Sequence, residues 1–334
     1  MDEPRKGLKI LHDEQTIPST EQRAARARRI VGFVIGILLV AAAVWAVGGG
    51  QAALDELSTR IADAPIHLKV LTVALPILNW TLISISFWLL SRRFGVVRIG
   101  EMHALIGSAW LLNYLPMRPG MIGRIAYHKS INSIRVTDSI RITITSVVLT
   151  AVAVCTLLCL SLIALDLRSE IAWFVLAAPG IGLLVIGGTI AVRTRSVFSP
   201  AAAITLATAT RFFDILTWVA RYAVVFALIG EPLTIAQAAL VTAVSQVAMM
   251  IPLAGNGLGI REWGIGLTVP LASGAASSVG LTADLLNRAA ELIVAVPVGL
   301  ASAGILLYAH QKRTREQKDL QLSPDPADPS MRTD

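Results

Sequence analysis

Four ionisable residues stand beside breaks in apolar runs of this chain, Arg118, Arg124, Arg261 and Glu262, and Arg288 lies near the start of the last apolar run. Charges inside hydrophobic stretches are expensive to bury, so they mark functional positions by default. Arg118 and Arg124 belong to WLLNYLPMRPGMIGR, and Arg261 follows QVAMMIPLAGNGLGI. In each stretch an apolar run meets a proline (Pro116, Pro252) and then, seven residues later, a glycine (Gly123, Gly259). An arginine (Arg124, Arg261) follows within two positions. A helix broken inside a membrane leaves backbone N–H groups unpaired at the new N-terminus, and these, with the helix dipole, favour an anion. The planar fork of arginine suits phosphate. The chemistry expected is therefore the holding of an anionic headgroup. Gly120, Gly257 and Gly259 open the backbone. Arg118, Arg124, Arg261 and Arg288 supply charge, and Glu262 needs a partner, for which Arg288 is the candidate. Asn113 caps a broken end or bonds a lipid ester. Interrupted hydrophobic segments in corresponding halves are a sequence pointer to a transporter's binding site.

These residues need elements to carry them, and composition indicates which. Of 334 residues, 54% are hydrophobic and 15% charged, with a mean hydropathy of +0.67. A soluble domain carries roughly 25% charged residues. The reading is an all-α, polytopic transmembrane helix bundle of about 6–8 spans with two broken or re-entrant elements. The net charge of +7 lies largely in termini and short loops, where it orients the chain in the membrane rather than binding nucleic acid. Arg211 and Asp214 are three apart and form a structural ion pair on one helix face. Arg288 and Glu291 are also three apart, so Arg288 either partners Glu262 or makes a local structural ion pair with Glu291. Cys155 and Cys159 read as small packing residues. His103 and His128 lack ligand-spaced companions, so no metal is expected, and no nucleotide motif or other cofactor signature is present.

Taken in order, residues 1–29 form a basic cytoplasmic tail, 30–308 one transmembrane domain and 309–334 a second cytoplasmic, disordered tail. Ile30–Val47 is the first span, with Gly32 and Gly36 suited to close helix approach. Residues 51–68 form a short amphipathic helix, and Val70–Leu90 the second span. His103–Leu115 is too short to cross and reads as a half-helix. Ile140–Leu165 and Ile171–Val192 are spans, and residues 204–229 a helix interrupted by Arg211, Asp214 and Arg221. Ile235–Ile251 leads into the second break, and Gly264–Leu281 leads out as one run. Asp284–Tyr308 is the last span. Basic clusters at both ends put both termini on the cytoplasmic side, which requires an even number of crossings. Six clear spans with two broken pairs, or eight spans, both satisfy this. The first apolar run is of full span length, so no cleavable signal peptide is expected.

The chain resembles the membrane region of lysylphosphatidylglycerol synthases, which also occurs as stand-alone flippase-like proteins. The resemblance rests on Trp88-Leu89-Leu90 to Gly95 with Asn113-x-Leu115-Pro116-x-Arg118-x-Gly120-x-x-x-Arg124. It continues in Gly255-x-Gly257-Leu258-Gly259-Ile260-x-Glu262, and in Arg288 with Pro297 and Gly299. It covers about residues 30–308. It implies a bundle that translocates a phospholipid or polyprenyl-linked lipid, working alone or beside a lipid-modifying enzyme. Two features depart from the family pattern: Met121 stands where a glutamate is usual, and the acidic–basic signature is missing from 143–154. No soluble synthase domain is expected after Tyr308, so synthase activity is not carried over. The leading expectation is a lipid flippase in the cytoplasmic membrane. The alternatives are a membrane glycosyl or lipid transferase using a polyprenyl-phosphate donor, with Asp55, Glu56, Asp166 or Glu231 as available carboxylates, and a non-transporting partner of such an enzyme.

Overall fold

The computed structural model describes residues 51–322 apart from 116–118, 165 and 252–256, together with four positions before residue 51. The rest of the first span, the N-terminal tail, Arg118, both break-point prolines and residues 323–334 lie outside the described residues. Among the described residues every regular element is a helix. The elements are α1 (Gln51–Asp63), α2 (Ile66–Ser91), α3 (Ile99–Leu112), α4 (Pro119–Ser130) and α5 (Val136–Ile163). They continue as α6 (Ser169–Arg193), α7 (Pro200–Leu228), α8 (Ile235–Met250), α9 (Ile260–Ser273) and α10 (Ser277–Leu322).

Four stretches are long and apolar enough to cross a membrane: Ile66–Ser91, Val136–Ile163, Ser169–Arg193 and Ser277–Lys312. Their outward faces carry Ile144, Val152, Phe174, Val185, Leu300 and Ile305, all more than half exposed. A continuous apolar exterior of this kind needs hydrocarbon, not water, against it. The expected six or eight spans are thus four by length and apolarity among the described residues. The 29-residue α7 is interrupted by Arg211, Asp214 and Arg221, and the apolar α8 has only 16 residues.

Helix α7 is the axis of the bundle and packs against α2, α5, α6, α8 and α10. Proline at its first position needs no N–H partner, which suits the helix start. Phe212, Ile215, Val219, Tyr222 and Phe226 are all buried along it. Against this large-residue ridge α8 presents Ala238, Ala239 and Ala243, and α5 and α6 add Leu157 and Leu176. Small residues against large ones are how helices associate where lipid supplies no hydrophobic drive between them.

Several boundaries differ from the sequence expectation. Gly264–Leu281 is not one run: α9 ends at Ser273, Gly274 takes the left-handed conformation (φ +75°), and α10 starts at Ser277. A glycine in that conformation closes a helix at no steric cost, and the apolar residues either side concealed the stop. α10 also runs on past Tyr308 to Leu322, into the stretch expected as a disordered tail. α3 starts at Ile99, four residues before His103, because the Glu101 carboxylate accepts from the Arg98 N–H and fixes the first turn. The two expected breaks fall between α3 and α4 and between α8 and α9. Gly120 sits where α4 crosses α3: a Cβ there would run into the backbone of Ala109.

Candidate functional site: a buried arginine–carboxylate network beside a lateral cavity

The site is built on one face of α10. Asp284, Asn287, Arg288 and Glu291 recur at the three- and four-residue spacing that aligns side chains along one helical stripe. All four are at most 6% exposed. The stripe meets Arg221 and Tyr222 from α7, Arg261 and Glu262 from the first turn of α9 and Trp110 from α3, and Asn79 of α2 joins through Arg221.

Arg221 lies at the centre. Its Nη2 donates to Glu291 Oε2 at 3.1 Å, its Nε to Asn287 Oδ1 at 3.1 Å and its Nη1 to Asn79 Oδ1 at 3.2 Å. Its guanidinium plane lies 3.7 Å from the Trp218 ring centroid, a cation–π contact strengthened by the absence of water. Glu291 also accepts from Trp110 Nε1 at 3.1 Å and lies 3.6 Å from Arg261 Nη1. Arg261 donates through Nε to Asp284 Oδ2 at 2.9 Å, while the other Asp284 oxygen takes the Tyr222 hydroxyl at 2.9 Å. Every charge here would cost several kcal/mol to bury alone. Pairing and the added neutral donors make burial tolerable, and they fix α7, α9 and α10 in one register.

The turn into α9 follows the same logic. Gly257 and Gly259 have φ of +70° and +81°, conformations that L side chains adopt only with strain. This geometry lets the Gly259 N–H donate to Glu262 Oε2 at 2.7 Å, so Glu262 caps its own helix. The other carboxylate oxygen lies 2.6 Å from Arg288 Nε, an ion pair by distance. Arg288 Nη1 and Nη2 have no hydrogen-bond partner among the described residues.

A second group lies nearer α5. Arg211 reaches Asp214 Oδ2 at 2.9 Å and donates to Thr150 Oγ1 at 2.6 and 3.0 Å. Asn79 Nδ2 donates to Asp214 Oδ1 at 2.7 Å, linking this pair to Arg221 through one side chain. Arg124, on α4, is 8% exposed, donates to Thr143 Oγ1 at 2.9 Å and stands 3.8 Å from the Phe87 ring centroid. No carboxylate pairs with it among the described residues.

These groups surround a cavity of about 340 Å³. Arg124, Arg211, Arg221, Asp214 and Glu291 are on its wall, with Trp80, Trp110 and Trp218 among the apolar lining. It reaches the surface where Met121 and Val147, 39% and 54% exposed, line it. Met121 is on α4 and Val147 lies near the middle of α5, one of the four long apolar helices, so the most exposed part of the lining is apolar. Gln246 Nε2 and Asn113 Oδ1, also on the wall, are buried atoms without hydrogen-bond partners. The cavity thus joins a charged interior to an apolar flank.

The sequence candidates divide accordingly. Asn113 and Arg124 line the cavity. Gly120 serves close packing of α3 and α4. Gly257, Gly259 and Glu262 shape the α9 turn, and Arg261 and Arg288 belong to the ion-pair network rather than to the cavity wall. Arg118 lies outside the described residues. Arg211 and Asp214 pair as their spacing predicts. Arg288 and Glu291 do not pair locally: Arg288 turns to Glu262, and Glu291 to Arg221 and Arg261. Sequence reasoning missed the roles of Arg221, Asp284, Asn287 and Asn79. The polar stripe on α10 was the available signal. Among the described residues no cluster of three or more His, Cys, Asp or Glu could hold a metal.

The class that fold and site define is an all-helical bundle with apolar outer faces and a charged interior, a membrane protein by construction. Beyond that class, no family model matches the chain, no curated protein matches it and no solved structure matches it.

Proposed function

We propose that this protein binds an anionic or polyprenyl-linked lipid and moves it across the cytoplasmic membrane. The observation that carries the reading is the cavity, in which three arginines sit behind an opening lined by Met121 and Val147 on the flank of a long apolar helix. A soluble ligand gains nothing from an apolar opening. A lipid does, because its headgroup enters the polar interior while its chains stay in hydrocarbon. The lysylphosphatidylglycerol-synthase-like residue pattern supports the same reading, and in that frame the α3–α4 and α8–α9 pairs are the two interrupted elements, with both termini cytoplasmic. The transferase alternative draws less support. Asp214 and Glu291, the two carboxylates on the cavity wall, are both taken up by arginine, so neither is free to act as a base.

The test is lipid scrambling in vesicles reconstituted with the full chain. Fluorophore-labelled lipid is distributed in both leaflets and the outer leaflet is bleached with dithionite. Bleaching beyond the outer-leaflet share, for an anionic lipid and not for a zwitterionic one, supports the proposal. Bleaching confined to the outer leaflet for every lipid class, with and without an imposed ion gradient, overturns transport.

A further inference from the structure

The buried charges follow a simple pattern. Four arginines are matched one for one with four carboxylates: Arg211 with Asp214, Arg221 with Glu291, Arg261 with Asp284 and Arg288 with Glu262. Among the described residues Arg124 is the remaining buried arginine. Its partners are the Thr143 hydroxyl and the face of Phe87, neither of which carries a charge. On the cavity wall, Arg211 and Arg221 are offset by Asp214 and Glu291, so the uncompensated charge there, among the described residues, is the single positive charge of Arg124.

Resting on the lipid reading above, we infer that the cavity selects a headgroup with one negative charge, a phosphodiester, and discriminates against phosphate monoesters. A buried arginine without a carboxylate is tolerable in the empty protein only at a cost, which a ligand monoanion removes. A phosphodiester brings that one charge at any pH near neutrality. A phosphomonoester carries close to two, with its second proton leaving at a pKa of about 6. The surplus charge would then sit in the cavity facing Asp214 and Glu291 without a counter-ion. A zwitterionic headgroup fails for the opposite reason, because its ammonium would be held near Arg124, Arg211 and Arg221. Around the diester, Gln246 Nε2 offers an unused donor and Asn113 Oδ1 an unused acceptor, which suits a headgroup bearing hydroxyls. The same chemistry is found in hydroxylated glycerophospholipids and in polyprenyl phosphoryl sugars, both of which are diesters.

Equilibrium binding separates these cases. The full chain is held in nanodiscs of phosphatidylcholine and titrated with four fluorescent lipids: phosphatidylglycerol, a polyprenyl phosphoryl hexose, phosphatidic acid and phosphatidylcholine. The inference expects at least one of the two diesters to bind about tenfold or more tighter than phosphatidic acid and phosphatidylcholine at pH 8; which diester leads identifies the source. Lowering the pH to about 5, where the monoester holds its second proton, brings phosphatidic acid up to the diesters. Arg124→Gln abolishes the ranking, and Arg124→Lys retains part of it. Equal binding of all four, or tighter binding of phosphatidic acid at pH 8 than at pH 5, overturns the one-charge inference and leaves lipid binding standing. Absence of saturable binding by every lipid overturns both. The wild-type ranking and its pH dependence decide the matter even if the Arg124 variants do not fold.

Discussion

Replacing Glu291 with glutamine tests whether the ion-pair network holds the bundle together. The substitution keeps the size of the side chain and an oxygen for Trp110, and removes one charge. Arg221 then loses the carboxylate that pairs with it among the described residues, while Arg261 keeps Asp284. Breaking a buried pair from one side typically costs about 3–5 kcal/mol, because the remaining charge is left uncompensated. Here Asn287, Asn79 and the Trp218 face still hold Arg221, which places the cost at the lower end, about 3 kcal/mol. At roughly 2–4 °C per kcal/mol the melting midpoint falls by about 6–12 °C. The assay is thermal unfolding in detergent, followed by intrinsic tryptophan fluorescence with size-exclusion of the heated sample. A companion pair sharpens it. Arg221→Gln alone should be destabilised similarly, while the Arg221→Gln/Glu291→Gln double variant should melt above either single variant, since no orphaned charge remains. Single variants that melt within 1–2 °C of wild type, or a double variant whose losses add, would refute the reasoning.

Three further outcomes follow from the same geometry. Gly259→Ala forces a Cβ into a backbone with φ of +81° and should cost about 1–2 kcal/mol, read as a lower midpoint in the same melt. His128, on the last turn of α4, is buried, and burial lowers its pKa below the ordinary value near 6.5. The unfolded chain therefore binds a proton that the folded chain refuses as pH drops. Stability should hold above about pH 6.5 and decline below it, by no more than about 1.4 kcal/mol per pH unit from this group, and His128→Gln should flatten that decline. Cys155 and Cys159 are free and exposed on α5, a long apolar helix. In vesicles they should react with an apolar maleimide and resist a charged one; prompt labelling by the charged reagent would place that face in water.

The sequence made the helices legible where apolar runs were long, and the local ion pair where spacing was short. Arg211 and Asp214 are separated by less than one helical turn, so helix geometry alone dictated their contact. Glu262 is legible because it follows a glycine turn, and the α9 cap explains that adjacency. The centre of the network was not legible in the same way. Arg221 meets Asn287, Glu291 and Asn79 across 66, 70 and 142 residues of chain, and nothing local encodes pairings of that range. The stripe Asp284–Asn287–Arg288–Glu291 announces a polar helix face but not what it faces. The stop at Gly274 was hidden for a different reason: apolar residues flank it, and only the backbone conformation reveals the break.

The most direct test of the central claim is to catch the lipid in the cavity. A phosphatidylglycerol carrying a diazirine next to the headgroup is incorporated into vesicles with the full chain, irradiated, and the adducts mapped by mass spectrometry. The account predicts adducts on the cavity residues Met121, Asn113, Gln246 and Met250, reduced by excess unlabelled phosphatidylglycerol. Adducts confined to the outward faces of the long helices, such as Phe174, Val185 and Leu300, and unaffected by competitor, would contradict it.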